Sequence, residues 1–583
     1  MKKINIIVIA LLLSSLLFAT EYHSVPLSSE AYRIIEAGEN RGIIDVQSEV
    51  RPYNLNTVRK LLNEISASSL ISESERDEIT RVLDDFDSTY GKERKEDYSS
   101  DDISLVNYTR LGAGLESVQK VGSVVGEDTV FDSRNGVLAY IMGDILNTVS
   151  YDLNFRVNLD RIDESAYLPT ELKYSSEGFY MNLIDGGTRL RSLPDSSFYL
   201  GIEAFPEISA SIKNDIASFR IGAVERDWGP GVNNIALSGS ARVIDGVELS
   251  LRPASWFSYS VMTGSLGQAS LESVDGVEWP SENMDDKSGK YSNNISIHRV
   301  ELSFSGMKAS VWESVVWRKR FELSYLNPLS IYMFSQNSLG DYDNCLAGFD
   351  ASYTVAGIGT FYMGLAMDEM NSFRKPFTCP RNILALQAGA SFTLSFASFT
   401  TLKVQGTYIP AFFGAHYQDT EKLFADVPYT TAYVNKGQNI GYPVNPDTFE
   451  FLIAFDTTLF SGWKFSAEIR DQLRSAQYSF KTTGTDILTY MNYAAYDNGE
   501  YYDRAFLANI WNNILCVTVT VEKELKNITF TAGLEGIIDS SRSFSPEVRE
   551  NAGGTYNPGR INAWGEWATE FTLVATLGAR IVF

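Results

Sequence analysis

"EFTLVATLGARIVF", Glu570 to Phe583, is the stretch on which the fold turns. Phe571, Leu573, Ala575, Leu577, Ala579, Ile581 and Phe583 occupy every second position, so in an extended chain they share one face. The same period of two recurs upstream. In "DLNFRVNLD" Leu153, Phe155, Val157 and Leu159 alternate with Asp152, Asn154, Arg156, Asn158 and Asp160. In "WKFSAEIR" Trp463, Phe465, Ala467 and Ile469 alternate with Lys464, Ser466, Glu468 and Arg470, and "LCVTVTVE" and "ITFTAGL" continue the pattern. Alternation alone suits a soluble sandwich as well as a membrane barrel, because each has one apolar and one polar face. The number of such segments and the character of the last one separate the two.

A final strand with one apolar face and a terminal Phe resembles the assembly signal of outer-membrane barrels, which a barrel assembly machinery would engage through Phe583. The other end of the chain agrees. "MKKINIIVIALLLSSLLFATEY" places Lys2 and Lys3 before an apolar run from Ile6 to Phe18 and small residues at Ala19 and Thr20, the layout of a cleaved signal peptide over residues 1–20. Its apolar run is short of the roughly 20 residues that a helix needs to cross a bilayer. The remaining composition reads the same way. The chain carries 43 Gly, 31 Tyr, 33 Phe and a net charge of -24, which suits a barrel in contact with outer-membrane lipid and argues against nucleic acid as a partner. Cys345, Cys379 and Cys516 are too few and too scattered for a disulfide framework or a Cys-based metal site, though one disulfide is allowed.

Before the alternation starts, the period is helical. Tyr32, Ile34 and Ile35 form one stripe ending at Gly42; Asn54 is placed to cap a second helix carrying Leu55, Val58, Leu61, Leu62 and Ile65. Ser72 and Glu75 have capping-box spacing in front of Ile79, Val82, Leu83 and Phe86. Residues 21–87 therefore read as a small periplasmic helical module, and the charged residues 88–103 as its linker. The fold class is mainly β, with residues 104–583 forming a large transmembrane antiparallel barrel. At about 25 to 30 residues per strand that length gives roughly 16 to 18 strands. A barrel so wide encloses a lumen that holds water or a plug, and the helical module is the natural plug for its periplasmic mouth.

Chemistry is sparse. Outside the signal region the three His reduce to His298 and His416, and no nucleophile elbow, zinc-protease helix or phosphate loop is present. A hydrolase would have to use one of those two; His298 in "SIHRVELSF" reads as a polar residue facing the lumen. "GDYDN", Gly340 to Asn344, lacks the Gly and the distal Glu of a calcium loop, and the acidic run Glu272 to Lys290 reads as a solvated loop. No metal and no cofactor is expected. Aromatic loops carry more: Tyr493, Tyr496 and Tyr501 stand among carboxylates, and Trp564 and Trp567 follow a Gly-containing turn. Sugar rings lay C–H faces on such rings, while interfacial aromatic belts use the same residues for lipid.

One stretch is more specific. "ERDWGPG", Glu225 to Gly231, sets Arg226, Asp227 and Trp228 against a Gly229-Pro230-Gly231 corner, reading as a fixed turn at a rim or inward fold with its three side chains available to a sugar or to the plug. With "LSGSAR" and "DGVELSLRP" it resembles the Wzi family of capsule assembly proteins. "HRVELSF", "WESVVWRKRFELSYLNPLSIY" and "GDYDNCLAGFDASY", His298 to Tyr353, are similar to that family too, as are "NKGQNIGYPVNPD", Asn435 to Asp447, and the preface "YRIIEAGENRGII" with "RPYNL". Asp245 and Tyr442 depart from the family pattern, which has Pro and His there. The resemblance implies an 18-stranded outer-membrane barrel closed by periplasmic helices, with no catalytic residues, that holds capsular or other surface polysaccharide. A porin-like channel is the second reading, since Asp152, Arg156, Asp160, Lys464, Glu468 and Arg470 would suit a wet lumen; an outer-membrane hydrolase is the third.

Overall fold

The computed structural model describes the chain apart from residues 1–21, 92–107, 125–128, 146–148, 163–177, 183–196, 213–215, 267–292, 319–320, 341–342, 371–372, 375, 377–381, 411–412, 415–430, 436–437, 445, 460–461, 476–506, 508, 526, 547–548, 552–553 and 557–560. The alternating segments become strands: β1 Tyr108–Val124, β2 Thr129–Ile145, β3 Val149–Ile162, β4 Ser197–Ile212, β5 Ala217–Val224, β6 Ile244–Ala254, β7 Phe257–Ser265, β8 Asn293–Phe304 and β9 Met307–Arg318. After an interruption follow β10 Asn344–Val355, β11 Gly359–Glu369, β12 Ile383–Leu394, β13 Ser398–Ile409, β14 Thr448–Leu459, β15 Trp463–Ser475, β16 Ile510–Leu525, β17 Ile528–Ser541 and β18 Ala568–Val582. Each pairs antiparallel with the next, and β18 returns to β1 from Gly114↔Val582 to Val124↔Thr572, so these 18 described strands close on themselves. Closure removes the unpaired edges that hydrocarbon would not solvate.

Which face is which follows from burial. Phe571, Leu573 and Leu577 of β18 point outward and are exposed, while Thr572 and Val574 point inward and are buried. In β3 Leu153, Phe155 and Leu159 face out and Asn158 and Asp160 face in. The inward charges are paired across the lumen wall: Arg156 lies 3.6 Å from Glu203 and 3.4 Å from Glu116, and Arg470 lies 3.2 Å from Glu450. Short turns gather at one end with the C-terminus. Between β8 and β9 two residues suffice, Ser305 at φ 46 and Gly306 at φ 82, the doubly positive conformation that matches strand twist. Trp256, Phe304, Phe396 and Trp463 sit at this end as an exposed aromatic girdle, which marks it as the periplasmic boundary of the apolar band.

The helical periodicity gives α1 Glu30–Asn40, α2 Leu55–Ala67 and α3 Glu73–Tyr90. Ser29 and Asn54 cap the first two, and Ser72 with Glu75 forms the capping box of the third. Ile34, Leu55, Val58, Leu62, Ile65, Ile79 and Phe86 share one core with Met142 and Phe399 of the barrel wall. The module sits in the periplasmic mouth: Arg33 donates to the carbonyl oxygens of Ser398 and Phe399 at 3.2 and 2.6 Å, and Arg81 pairs with Glu524 at 3.3 Å. The linker starts later than its charge suggested. α3 runs through residue 88 to Tyr90, because Tyr90 packs on Phe86 at 6.2 Å and stacks on His23 at 5.3 Å; Gly91, at φ 95, ends it.

Candidate functional site

β5 brings the chain up the wall, and at Glu225 it leaves the wall for the lumen. Trp228 is 0 % exposed there, in a cluster with Val50, Ile235, Leu237 and Tyr433. Its neighbours pair with the helical module: Asp227 and Trp228 lie antiparallel to Arg51 and Val50, and the amide of Gly229 donates to the carbonyl of Glu49 at 3.0 Å. A loop entering from the extracellular side and a segment entering from the periplasmic side thus join in a two-residue β-pair inside the barrel. The corner that permits this needs its glycines. Gly231, at φ 88, has Gln405 Oε1 and the Tyr362 ring each 2.5 Å from where a Cβ would stand, and Gly229, at φ 144, has Asn234 Oδ1 at 2.6 Å.

The polar side chains of the corner are engaged by the wall, the loop itself and the helical module. Arg226 is buried and donates to Glu248 Oε2 at 2.8 Å and to the carbonyls of Val224 and Ile244 at 3.0 and 2.8 Å. Asp227 Oδ1 accepts from Asn234 Nδ2 at 2.5 Å and from the Gly239 amide at 3.2 Å, with Arg51 3.7 Å away. Burial pushes the Asp227 carboxyl above its ordinary range, and Arg51 and the two donors pull it back. All three are buried, so of the two roles expected for Arg226, Asp227 and Trp228, a sugar or the plug, the contacts they make here are with the plug and the wall. Arg226 and Asp227 find most of their partners a short way along the chain, at Glu248, Asn234 and Gly239, and Trp228 packs against Val50 of the helical module.

Further contacts thicken the plug. Gln405 Nε2 donates to the Val232 carbonyl and Gln405 Oε1 accepts from the Val232 amide, at 2.8 and 2.9 Å, a backbone-like pairing between wall and loop. Residues 432–435 and 438–444, also turned inward, add Tyr433, whose hydroxyl donates to Ala236 O at 2.6 Å, and Ile440, whose carbonyl accepts from Ser238 N at 2.9 Å. Tyr442, one of the two departures from the family pattern, is buried here with its hydroxyl on Glu450. Between plug and wall a cavity of about 410 Å³ remains, lined by charges of both signs, among them Glu36, Arg51, Lys403, Asp456 and Lys464.

At the extracellular rim lies the other candidate. Trp564 and Trp567 are brought together on Arg542, whose guanidinium carbon stands 3.7 Å from one ring centre and 4.8 Å from the other. Arg542 is itself held by the Ile510 carbonyl, at 3.1 Å from Nε and 2.7 Å from Nη2. Phe544 joins Trp564 to Trp511 at 5.9 Å each, and Arg474 lies 5.1 Å over Trp511. Trp567 stays 47 % exposed. Arg542, Phe544 and Trp511 were not apparent as partners in the sequence; the only signal is an Arg between two aromatic segments, common in loops. Tyr493, Tyr496, Tyr501, His416, Cys379 and the acidic run 272–290 lie outside the described residues.

His298 does not face the lumen. It shares the outward face of its strand with exposed Phe304, and pairs across to Glu313, whose neighbour on that face, Val311, is 55 % exposed. Its Nε2 is 3.3 Å from Glu313, and Tyr332 stacks on it at 4.4 Å. The expected lumen position fails because His298 has the parity of Val300, Leu302 and Phe304, the outward face of β8, while Ile295, Ile297, Arg299 and Glu301 face inward. Cys345 and Cys516 are free thiols.

No protein-family model and no curated protein matches this sequence. Among solved structures, Wzi, an outer-membrane protein involved in group 1 capsule assembly in Escherichia coli and described as a carbohydrate-binding β-barrel, aligns over 96 % of this chain and 99 % of its own, with a TM-score of 0.51 and 10 % identity. The barrel is Wzi-like. The likeness spans nearly the whole of both chains, and bears out at the level of fold the resemblance read from the sequence. Two Pseudomonas aeruginosa barrels are more distant: OpdO covers 82 % of this chain and 97 % of its own at TM-score 0.38 and 10 % identity, and OprD 81 % and 94 % at 0.37 and 12 %. Unlike the fold, ligands are not carried by a Wzi likeness at this identity, since function resides in sites grafted on folds.

Proposed function

We propose that this chain is a plugged, non-catalytic outer-membrane barrel that binds exported or capsular polysaccharide at its extracellular rim and helps retain it at the cell surface. It would reach the outer membrane after removal of residues 1–20 and be taken up by the barrel assembly machinery through the strand ending at Phe583. The observation that carries the reading is the join of Trp228 to Val50: a lumen bridged from both ends by a shared β-pair suits a binder rather than an open conduit. Support also comes from Trp564 and Trp567, rigid aromatic faces beside a guanidinium, a surface matched to sugar C–H faces and hydroxyls. The Wzi-like fold adds a precedent for carbohydrate binding.

The test is binding of purified protein to long-chain surface glycan by calorimetry, with Trp564→Ala and Trp567→Ala as variants. Each should weaken binding about tenfold or more, the loss of one to two kcal/mol that a buried aromatic contact contributes, while the wild-type barrel stays silent in a planar bilayer. Absence of binding with steady single-channel current would replace this proposal with the porin reading, for which the charged cavity beside the plug is the one favourable observation.

A further inference from the structure

Between β9 and β10 the chain does not stay at the extracellular surface. Two short helices, α4 Leu323–Leu326 and α5 Tyr332–Leu339, fold back over the outside of the barrel and cover a polar seam on β7 to β10. Glu313 lies at the centre of that seam, six residues above Met307 at the periplasmic turn. At 3.3 Å per residue and a tilt near 40° that is about 15 Å of height, close to the middle of an apolar band about 25 Å tall. A bare carboxylate facing hydrocarbon there would be costly.

The covering segment satisfies the seam, and the seam satisfies it. Glu313 accepts from the amides of Tyr332 and Met333 at 2.8 and 2.7 Å, capping α5, whose own preceding residue, Ile331, makes no side-chain cap. Ser296 Oγ donates to the Tyr325 carbonyl at 2.8 Å, and the Tyr259 hydroxyl donates to the Pro328 carbonyl. In water these backbone groups would need no such partners; at membrane depth irregular backbone is tolerated only when its polar groups are met by protein. The outer side of the same segment is apolar: Leu323, Leu329 and Phe334 are 67 %, 83 % and 65 % exposed, with Leu326 and Ile331 beside them, and this surface continues the lipid-facing Val311, Phe349 and Phe361 of the wall.

We propose that residues 321–339 form a strap embedded in the outer leaflet, in which acyl chains of the surrounding bilayer cover Leu323, Leu329 and Phe334. The strap takes over from the strands the task of presenting hydrocarbon to lipid, and lets the wall keep His298 and Glu313 on its outer face.

Spin labels attached at Phe334→Cys, Val311→Cys and Ser74→Cys, in full-length protein with the three native Cys changed to Ala and reconstituted in vesicles, test this by relative accessibility to oxygen and to a water-soluble nickel chelate. The ratio of oxygen to chelate accessibility at 334 should match that at 311 and lie several-fold above that at 74, which faces water in the helical module. A ratio at 334 as low as that at 74 overturns the proposal by placing the strap in water. Shielding from both reagents with dipolar broadening overturns it too, in favour of a second copy covering this face. Because Phe334 points away from the protein, its replacement leaves the seam intact; a Leu329→Cys label provides the same reading from the loop between the helices.

Discussion

Trp228→Ala should unlatch the plug without unfolding the barrel. Trp228 buries its whole side chain in the cluster that holds Val50, Ile235 and Leu237, and removal of so large a group from a packed core costs about 3–5 kcal/mol. Independent bookkeeping agrees: about 200 Å² of buried surface at about 25 cal/mol/Å² comes to about 5 kcal/mol, as an upper bound. The backbone bonds from Trp228 N to Leu237 O, 2.9 Å, and from Gly229 N to Glu49 O, 3.0 Å, do not depend on the indole, and no barrel ladder passes through it. The loss therefore falls on the join between loop and module. At 1.36 kcal/mol per decade it raises the opened population roughly 160-fold to 5,000-fold. Amide hydrogen exchange read over residues 47–54 and 228–240 measures this directly, with the strands of β1 and β18 as internal reference. Gly231→Ala should act on the same join from the other side, through its positive φ and the 2.5 Å approach of Gln405. If exchange over those two segments is unchanged in Trp228→Ala while the barrel remains folded, Trp228 does not hold the plug and the argument for a sealed lumen loses its main support.

Acidity should tighten the module. Burial pushes the Glu39 carboxyl up to about 7 from 4.5, with Lys308 pulling down, Glu49 pushing up, and the Gln47 amide and Arg51 pulling down. The folded state favours the protonated form, so its contribution to stability is complete below about 4.5 and is lost as pH rises through about 7. Exchange protection of residues 30–50 should fall between pH 5 and pH 8 in the wild type and stay level in Glu39→Gln; an equal fall in both would reject the assignment. Deletion of Phe583 should leave the folded barrel nearly as stable, since its side chain is 69 % exposed and only its amide is engaged, on Ala113 O at 2.7 Å. The amount of heat-modifiable barrel recovered from the outer membrane should nevertheless drop several-fold, and undiminished recovery would remove the assembly role proposed for that residue.

Much of this architecture is legible without coordinates. The alternation of Phe571 to Phe583 and of Leu153 to Leu159 marks strands and their two faces, because a period of two is a local property of extended backbone. Ser72 with Glu75, and Asn54 before its apolar stripe, mark helix starts for the same reason: a cap acts within one turn. The rim pair Trp564 and Trp567 could be named from the sequence, but Arg542, some 20 residues away, could not be assigned to them.

What local pattern leaves open is which segments meet. "ERDWGPG" reads as a corner with three side chains available to a sugar or to the plug, and nothing within it says that Trp228 will lie against Val50, far back in the chain, or that Gln405 will pair with Val232 as a strand would. Those contacts exist because an 18-stranded wall encloses more space than its own side chains fill, so inward loops and the helical module must complete the core between them. The same reason shapes the inner face of β8. Ile295 and Ile297 turn inward because the plug offers them an apolar surface, and His298 and Glu313 turn outward because the strap, and not lipid, covers them. Sequence alone determined that this chain is a barrel with a helical module; the tertiary structure decided which distant segments meet inside the barrel, through which residues, and where a helical segment lies over its wall.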